Sequence, residues 1–255
     1  MRAWLLLLAL AASCGGGGSS APSSNPNPPQ AAAQVSLLFM GNSHTAFHDV
    51  PGMVAALVRA ARPGRSVEAV QAPGWMFLEE RLADAASMAA LRSRQWTAVV
   101  LQAQKYSTSG LFDYSTAEAK ELVRMARAQG ALPVMFPEWP RRGVNETARI
   151  HDLHVSIARE APACVAPIGQ AWDLSLGRDP QLLLHDTDGN HAALPGAFLA
   201  ALMLAAAITG DAPGSFPSIE IALDAATQAR LRAIAAETAL AYPPRQHCPA
   251  DPPLP

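Results

Sequence analysis

Basic clusters are missing from this chain, and so is any strong excess of charge: its 255 residues carry a formal net charge of −2. Without a Lys/Arg patch there is no electrostatic footprint for nucleic acid or for a polybasic membrane contact. There is also no internal repeat and no second stretch of domain size, which sets aside solenoids and multidomain arrays. Cysteine is scarce, with three residues at Cys14, Cys164 and Cys248. The apolar run from Trp4 to Ala12 is nine residues long, the length of a leader core and well short of the roughly 20 that a membrane-spanning helix needs.

What the ends do contain points to export. The leader closes in Leu10-Ala-Ala-Ser-Cys14, followed by four glycines, and this resembles a lipobox. The resemblance implies a signal peptide over residues 1–13, lipidation of Cys14 and anchoring to a bacterial cell envelope, with the lipid as the only membrane contact. Residues 14–34 form a tether whose positions 15–34 are Gly, Ser, Pro, Asn, Gln and Ala without charge, a composition that cannot bury enough surface to order itself. As a flexible tether of about 20 residues it reaches roughly 25 Å. Residues 35–242 then form one domain with room for a sizeable core, and residues 243–255 read as a Pro-rich tail. An oxidising compartment would allow Cys164 and Cys248 to pair, stapling the tail to the domain, but spacing alone does not decide this.

Between these ends, short apolar runs alternate with helix-periodic stretches, the pattern of βαβ units around a parallel sheet. The strands are expected at Val35–Met40, Val67–Val70, Ala98–Gln102, Leu132–Phe136 and Cys164–Ile168. Helices are expected to begin near Pro51, Leu78, Thr116, Val144, Pro195 and Asp224. Right-handed crossovers put helices on both faces, giving a three-layer α/β/α sandwich, flavodoxin-like, with about five parallel strands. In such sheets ligands sit beyond the carboxyl ends of the strands. The segments there are Gly41-Asn-Ser-His-Thr, Ala72-Pro-Gly-Trp, Ala103-Gln-Lys-Tyr and Pro137-Glu-Trp.

Ser43 follows the first strand after a Gly-Asn turn and precedes a helix, a position from which a hydroxyl can act as nucleophile or simply cap a turn. Asp188-Gly-Asn-His191 places a carboxylate three residues before an imidazole. On one tight turn the carboxylate can accept a hydrogen bond from Nδ1–H and leave Nε2 facing a nucleophile, although Asp-Gly-Asn is also a common surface turn. His44 and His48 stand four apart, but no Glu accompanies them as a base, and Asp186-Thr-Asp-Gly does not continue with calcium-loop spacing. No catalytic metal is expected. Trp75, Met76, Phe77 and Trp139 either pack in the core or wall the site as an apolar or sugar-stacking surface, with Trp75 and Trp139 the substrate-binding candidates. A flavin role is disfavoured because Gly41-Asn-Ser-His-Thr lacks a phosphate cradle.

Two blocks carry a more specific likeness. Phe39-Met-Gly-Asn-Ser-His-Thr resembles the first conserved block of the SGNH/GDSL hydrolases, with Asn where that name has Asp. Asp188-Gly-Asn-His-Ala-Ala-Leu-Pro-Gly-Ala-Phe-Leu-Ala-Ala201 resembles their last block, and the two lie at opposite ends of the domain. The resemblance implies Ser43 as nucleophile, His191 as base and Asp188 as its orienter. It also implies an oxyanion hole from the N–H groups of Ser43 and Gly74. The third block departs: such families follow strand three with Gly-x-Asn-Asp, whereas this chain reads Leu101-Gln-Ala-Gln-Lys-Tyr-Ser107. Gln104 is the preferred replacement donor, with Gln102 and Tyr106 as alternatives. The activity implied is cofactor-free ester hydrolysis through an acyl-enzyme, on a small-molecule or polysaccharide ester outside the cytoplasm. The alternative is a surface-tethered binding lipoprotein that keeps the fold with little turnover.

Overall fold

The structure is a computed structural model that describes residues 34–255; the expected leader, Cys14 and nearly all of the tether lie outside them. Strand β1 (Val35–Met40) is buried at every residue, as a strand covered on both faces must be. After it come a short helix α1 (Ser43–Ala46) and helix α2 (Val50–Ala61), then β2 (Val67–Gln71). The next crossover holds α3 (Leu78–Arg81) and α4 (Ala85–Arg92), split where Asp84 accepts from the Ser87 N–H and starts a new helix. Strand β3 (Ala98–Gln102), α5 (Ala117–Ala128), β4 (Leu132–Phe136), α6 (Thr147–Glu160) and β5 (Cys164–Val165) follow. The chain closes with α7 (Ile168–Arg178), α8 (Leu194–Thr209) and α9 (Ala225–Ala241).

All five strands are parallel in the order β2-β1-β3-β4-β5. The chain steps from β1 out to β2 and returns to β3 on the other side, so a crevice opens at the carboxyl ends of β1 and β3. The pleat sends alternate residues of one strand into separate cores. Leu37 and Phe39 pack with α2, α7 and α8, while Leu38 and Met40 pack with α4, α5 and α6. Helix α8 is apolar all round because it is buried all round, beside α2 and beneath α9. Among the described residues no helix is long and apolar enough to cross a membrane.

Three expectations need correction. Strand β5 stops at Val165 instead of Ile168, because Pro167 has no N–H to give a ladder and α7 begins directly after it. That helix was not anticipated, and α6 begins at Thr147, past Val144. The Pro-rich tail is part of the domain. Cys248 is disulfide-bonded to Cys164 across a sequence separation of 84 residues, a loop whose closure is worth on the order of 4 kcal/mol in chain-entropy terms. The Pro244 carbonyl accepts from Val165 N–H at 2.9 Å, and Arg127 grips Asp251 in a fork at 2.9 and 2.7 Å. The tail thereby covers the edge of β5, which would otherwise expose unpaired backbone.

Candidate active site

The nucleophile turn is built by tight packing at the end of β1. A side chain at Gly41 would meet Thr45 Oγ1 at 2.2 Å and Gln102 Oε1 at 2.5 Å, so no larger residue fits. Asn42 caps α1 by accepting from His44 N–H at 3.1 Å, and Ser43 is the first residue of that helix. Gln102, fully buried at the end of β3, accepts at Oε1 from Asn42 N–H at 2.8 Å and from the Thr45 hydroxyl at 3.0 Å. One amide oxygen thus fixes the bend that presents Ser43.

His191 Nε2 lies 2.8 Å from Ser43 Oγ, and its Nδ1 lies 2.5 Å from Asp188 Oδ2. With Nδ1–H donating to the carboxylate, Nε2 is left to accept the serine proton. Asp188 Oδ1 also accepts from the N–H groups of Asn190 and His191, each at 2.9 Å. The His191 hydrogen bond, followed by these two backbone donors, holds the Asp188 carboxyl well below the usual carboxylate range. It stays ionised at any working pH.

The Asp188–His191 turn sits at the tip of a narrow hairpin closed by the bridge between His185 and Ala192. The loop after β4 clamps it from one side. Trp139 Nε1 donates to the Asn190 carbonyl at 2.8 Å, His185 Nε2 donates to Pro140 O at 2.8 Å, and Arg142 N–H donates to Gly189 O at 2.8 Å. The Arg142 guanidinium adds bonds to the His185 and Asp186 carbonyls. From the other side the Phe47 ring stacks on His191 at 4.0 Å and 14°. His48 and Asp49, which follow it, both have positive φ, 54° and 52°, a strain of order 1–3 kcal/mol per residue that turns the chain sharply after that ring.

His44 also lies against His191, at 4.9 Å, and against Trp139, at 5.3 Å. Burial, and then the neighbouring His191, push His44 down to about 4, so it stays neutral and adds no competing positive charge beside the base. It is a packing partner of the site.

Two expected site residues are placed elsewhere. Gln104 uses its amide N–H groups on Lys105 O at 3.0 Å and Ser115 O at 2.9 Å. It pins the loop between β3 and α5 and has no donor left for an oxyanion. Trp139, 1% exposed, cannot wall a substrate pocket; it stacks on Trp172 at 4.7 Å and supports the acid–base turn. Trp75 is 65% exposed beside Gly74 and stands on the open rim of the sheet. Gly74 itself has φ 75°, a conformation that suits glycine.

Gln102, Phe47 and Arg142 were not singled out as supports of the triad, and nothing local to their sequence marks them. Glu138 was missed too. Its carboxyl is buried beside Gln102, one oxygen has no hydrogen-bond partner, and burial pushes it up to about 7. The ordinary value is 4.5, so the folded chain keeps a proton that the unfolded chain releases. The associated stability is full below about pH 4.5 and is lost as pH rises through about 7, on the order of 3 kcal/mol in all. Glu138→Gln should therefore raise Tm at pH 8 and change it little at pH 4.5. Thermal unfolding at the two pH values measures this, and an equal shift at both would contradict it.

No protein-family model matches the chain, and no curated protein matches it. Among solved structures it is similar to a candidate SGNH hydrolase from Slackia heliotrinireducens. The two are 25% identical with a TM-score of 0.54, over 68% of this chain and 98% of that one. It is also similar to a DUF4886 family protein from Bacteroides uniformis, at 18% identity and a TM-score of 0.63 over 82% of this chain and 95% of that one. The second likeness shows the α/β fold; the first supports a serine hydrolase of the SGNH superfamily in general.

Proposed function

We propose that the protein is a serine esterase that works through an acyl-enzyme on an extracytoplasmic ester such as an acylated carbohydrate. The observation that carries this reading is the continuous hydrogen-bonded line from Ser43 Oγ through His191 to Asp188. Ser43 Oγ attacks the ester carbonyl as its proton passes to His191 Nε2, forming a tetrahedral oxyanion. Collapse breaks the bond to the alcohol, which leaves with the proton from His191. Water then enters, gives a proton to the same nitrogen and releases the acid, restoring Ser43. Asp188 holds the imidazole in the required tautomer throughout and stabilises the imidazolium. The proposed oxyanion hole consists of the N–H groups of Ser43 and Gly74, with no side-chain amide from Gln104. Since one such donor is worth about 10²–10³ in rate, turnover should be modest. The reaction so written requires no cofactor.

A carbohydrate ester is favoured by Trp75, an exposed ring beside Gly74 that suits stacking on a sugar face. Purified protein assayed against short-chain p-nitrophenyl esters and acetylated sugars should release acid from both classes. Hydrolysis of the aryl esters alone would remove the sugar assignment, and turnover of neither would leave the binding-protein reading. Export and lipid anchoring belong to the same proposal. The Cys164–Cys248 bond supports an oxidising compartment. Cys14→Ser should move the protein from the membrane to the soluble fraction; an unchanged distribution on cell fractionation would contradict the anchor.

A further inference from the structure

Arg81, the last residue of α3, is completely buried, yet among the described residues no carboxylate lies within ion-pair distance of it. Its two terminal nitrogens donate to three backbone carbonyls and one hydroxyl instead, while the buried Nε has no hydrogen-bond partner. Nη1 donates to Pro73 O at 2.7 Å and to Ser87 Oγ at 2.8 Å; Nη2 donates to Gly41 O at 2.5 Å and to Gly74 O at 3.0 Å. A buried cation without a direct ion pair is a costly arrangement to keep: burial lowers the Arg81 pKa, and the nearby Asp84 and Glu80 carboxylates oppose that shift without touching the guanidinium. Two features of the placement explain what it achieves. The carbonyls it holds come from the two separate segments that carry the proposed oxyanion donors, one after β1 and one after β2. In addition, Pro73 O and Gly74 N–H are the two ends of one peptide group.

We propose that Arg81 is a positioning residue for the oxyanion hole: it fixes the Gly41–Ser43 and Pro73–Gly74 segments relative to each other and polarises the Gly74 N–H. This rests on the esterase reading above. Charge drawn toward Pro73 O by the guanidinium makes the N–H at the other end of that peptide a stronger donor, and chains of hydrogen bonds in a low-dielectric setting reinforce one another. The planar fork serves three carbonyls at once; a lysine ammonium in its place cannot match that geometry.

The test uses ¹⁵N-labelled protein before and after reaction with a p-nitrophenyl phosphonate, whose tetrahedral adduct places an anionic oxygen where the oxyanion would form. In the unmodified chain, the Gly74 amide proton and the Arg81 Nη protons should both shift when Ser43 is phosphonylated. Arg81→Lys should lower kcat on p-nitrophenyl acetate at least tenfold with KM within twofold. Its circular dichroism should be unchanged and its Gly74 amide proton should resonate at higher field. A purely structural role would lower stability and leave kcat per folded molecule alone. Phosphonylated Ser43 with unmoved Gly74 and Arg81 signals would overturn the proposal, as would folded Arg81→Lys with kcat within threefold of the parent. If Arg81→Lys does not fold, the spectra of the unmodified chain decide. Failure of Ser43 to react at all would overturn the esterase reading itself, a result distinct from either.

Discussion

Exchanging Ser43 for alanine is expected to lower kcat by about 10⁴–10⁶-fold while leaving the thermal transition in place, because triad members act as a unit and the residual rate comes from binding and the oxyanion hole. The substitution removes only Oγ, whose one hydrogen bond is to His191 Nε2. Gly41, Asn42 and Gln102 still set the turn. Asp188→Asn should cost about 10⁴ in kcat for a different reason: the amide can present a donor to Nδ1 and so favour the wrong tautomer. Steady-state kinetics of both variants on p-nitrophenyl acetate, beside circular dichroism, measure these effects. Either variant retaining kcat within tenfold would contradict the assigned role.

The second large effect concerns stability. Trp139→Ala should cost about 3–5 kcal/mol, the range for truncating a buried Trp, since the ring is enclosed, stacked on Trp172 and bonded to the Asn190 carbonyl. It should also lower kcat, as the Asp188–His191 turn loses a clamp. Trp139→Phe keeps much of the stack and gives up the N–H bond, at a cost nearer 1 kcal/mol. Denaturant unfolding separates the two. If Trp139→Ala instead raised KM at unchanged stability, the ring would be a substrate wall after all.

The strands were legible because burial on both faces leaves near-continuous apolar runs bounded by turn residues, as in Val35–Met40 and Ala98–Gln102. The helix starts marked by a capping aspartate at Asp224 and by a proline at Pro195 were legible for the same local reason, and Thr116 stands at the N-cap position of α5 without making a side-chain cap bond. Helix α7 was not, since Pro167 provides no side-chain cap and the preceding residues look like strand. Ser43, Asp188 and His191 could be named because a turn and a three-residue spacing are local signals. Their supports could not. Gln102 and Gln104 are both amides at the end of one strand, and only packing decides that one holds the nucleophile turn while the other pins a loop. Arg81 stands beside Glu79 and Glu80 in a stretch that reads as a solvated helix face. Its burial is a consequence of two distant loops converging on it. Trp139 and Trp75 are equally apolar in sequence and opposite in exposure, 1% against 65%.

The most direct test is to treat the purified protein with a p-nitrophenyl phosphonate and map the adduct by mass spectrometry of its peptides. One phosphonyl group on the peptide containing Ser43, released nitrophenol in equal amount and no reaction in His191→Ala are the results expected here. Modification of another residue, or a Ser43 that reacts as fast without His191 as with it, would contradict the triad.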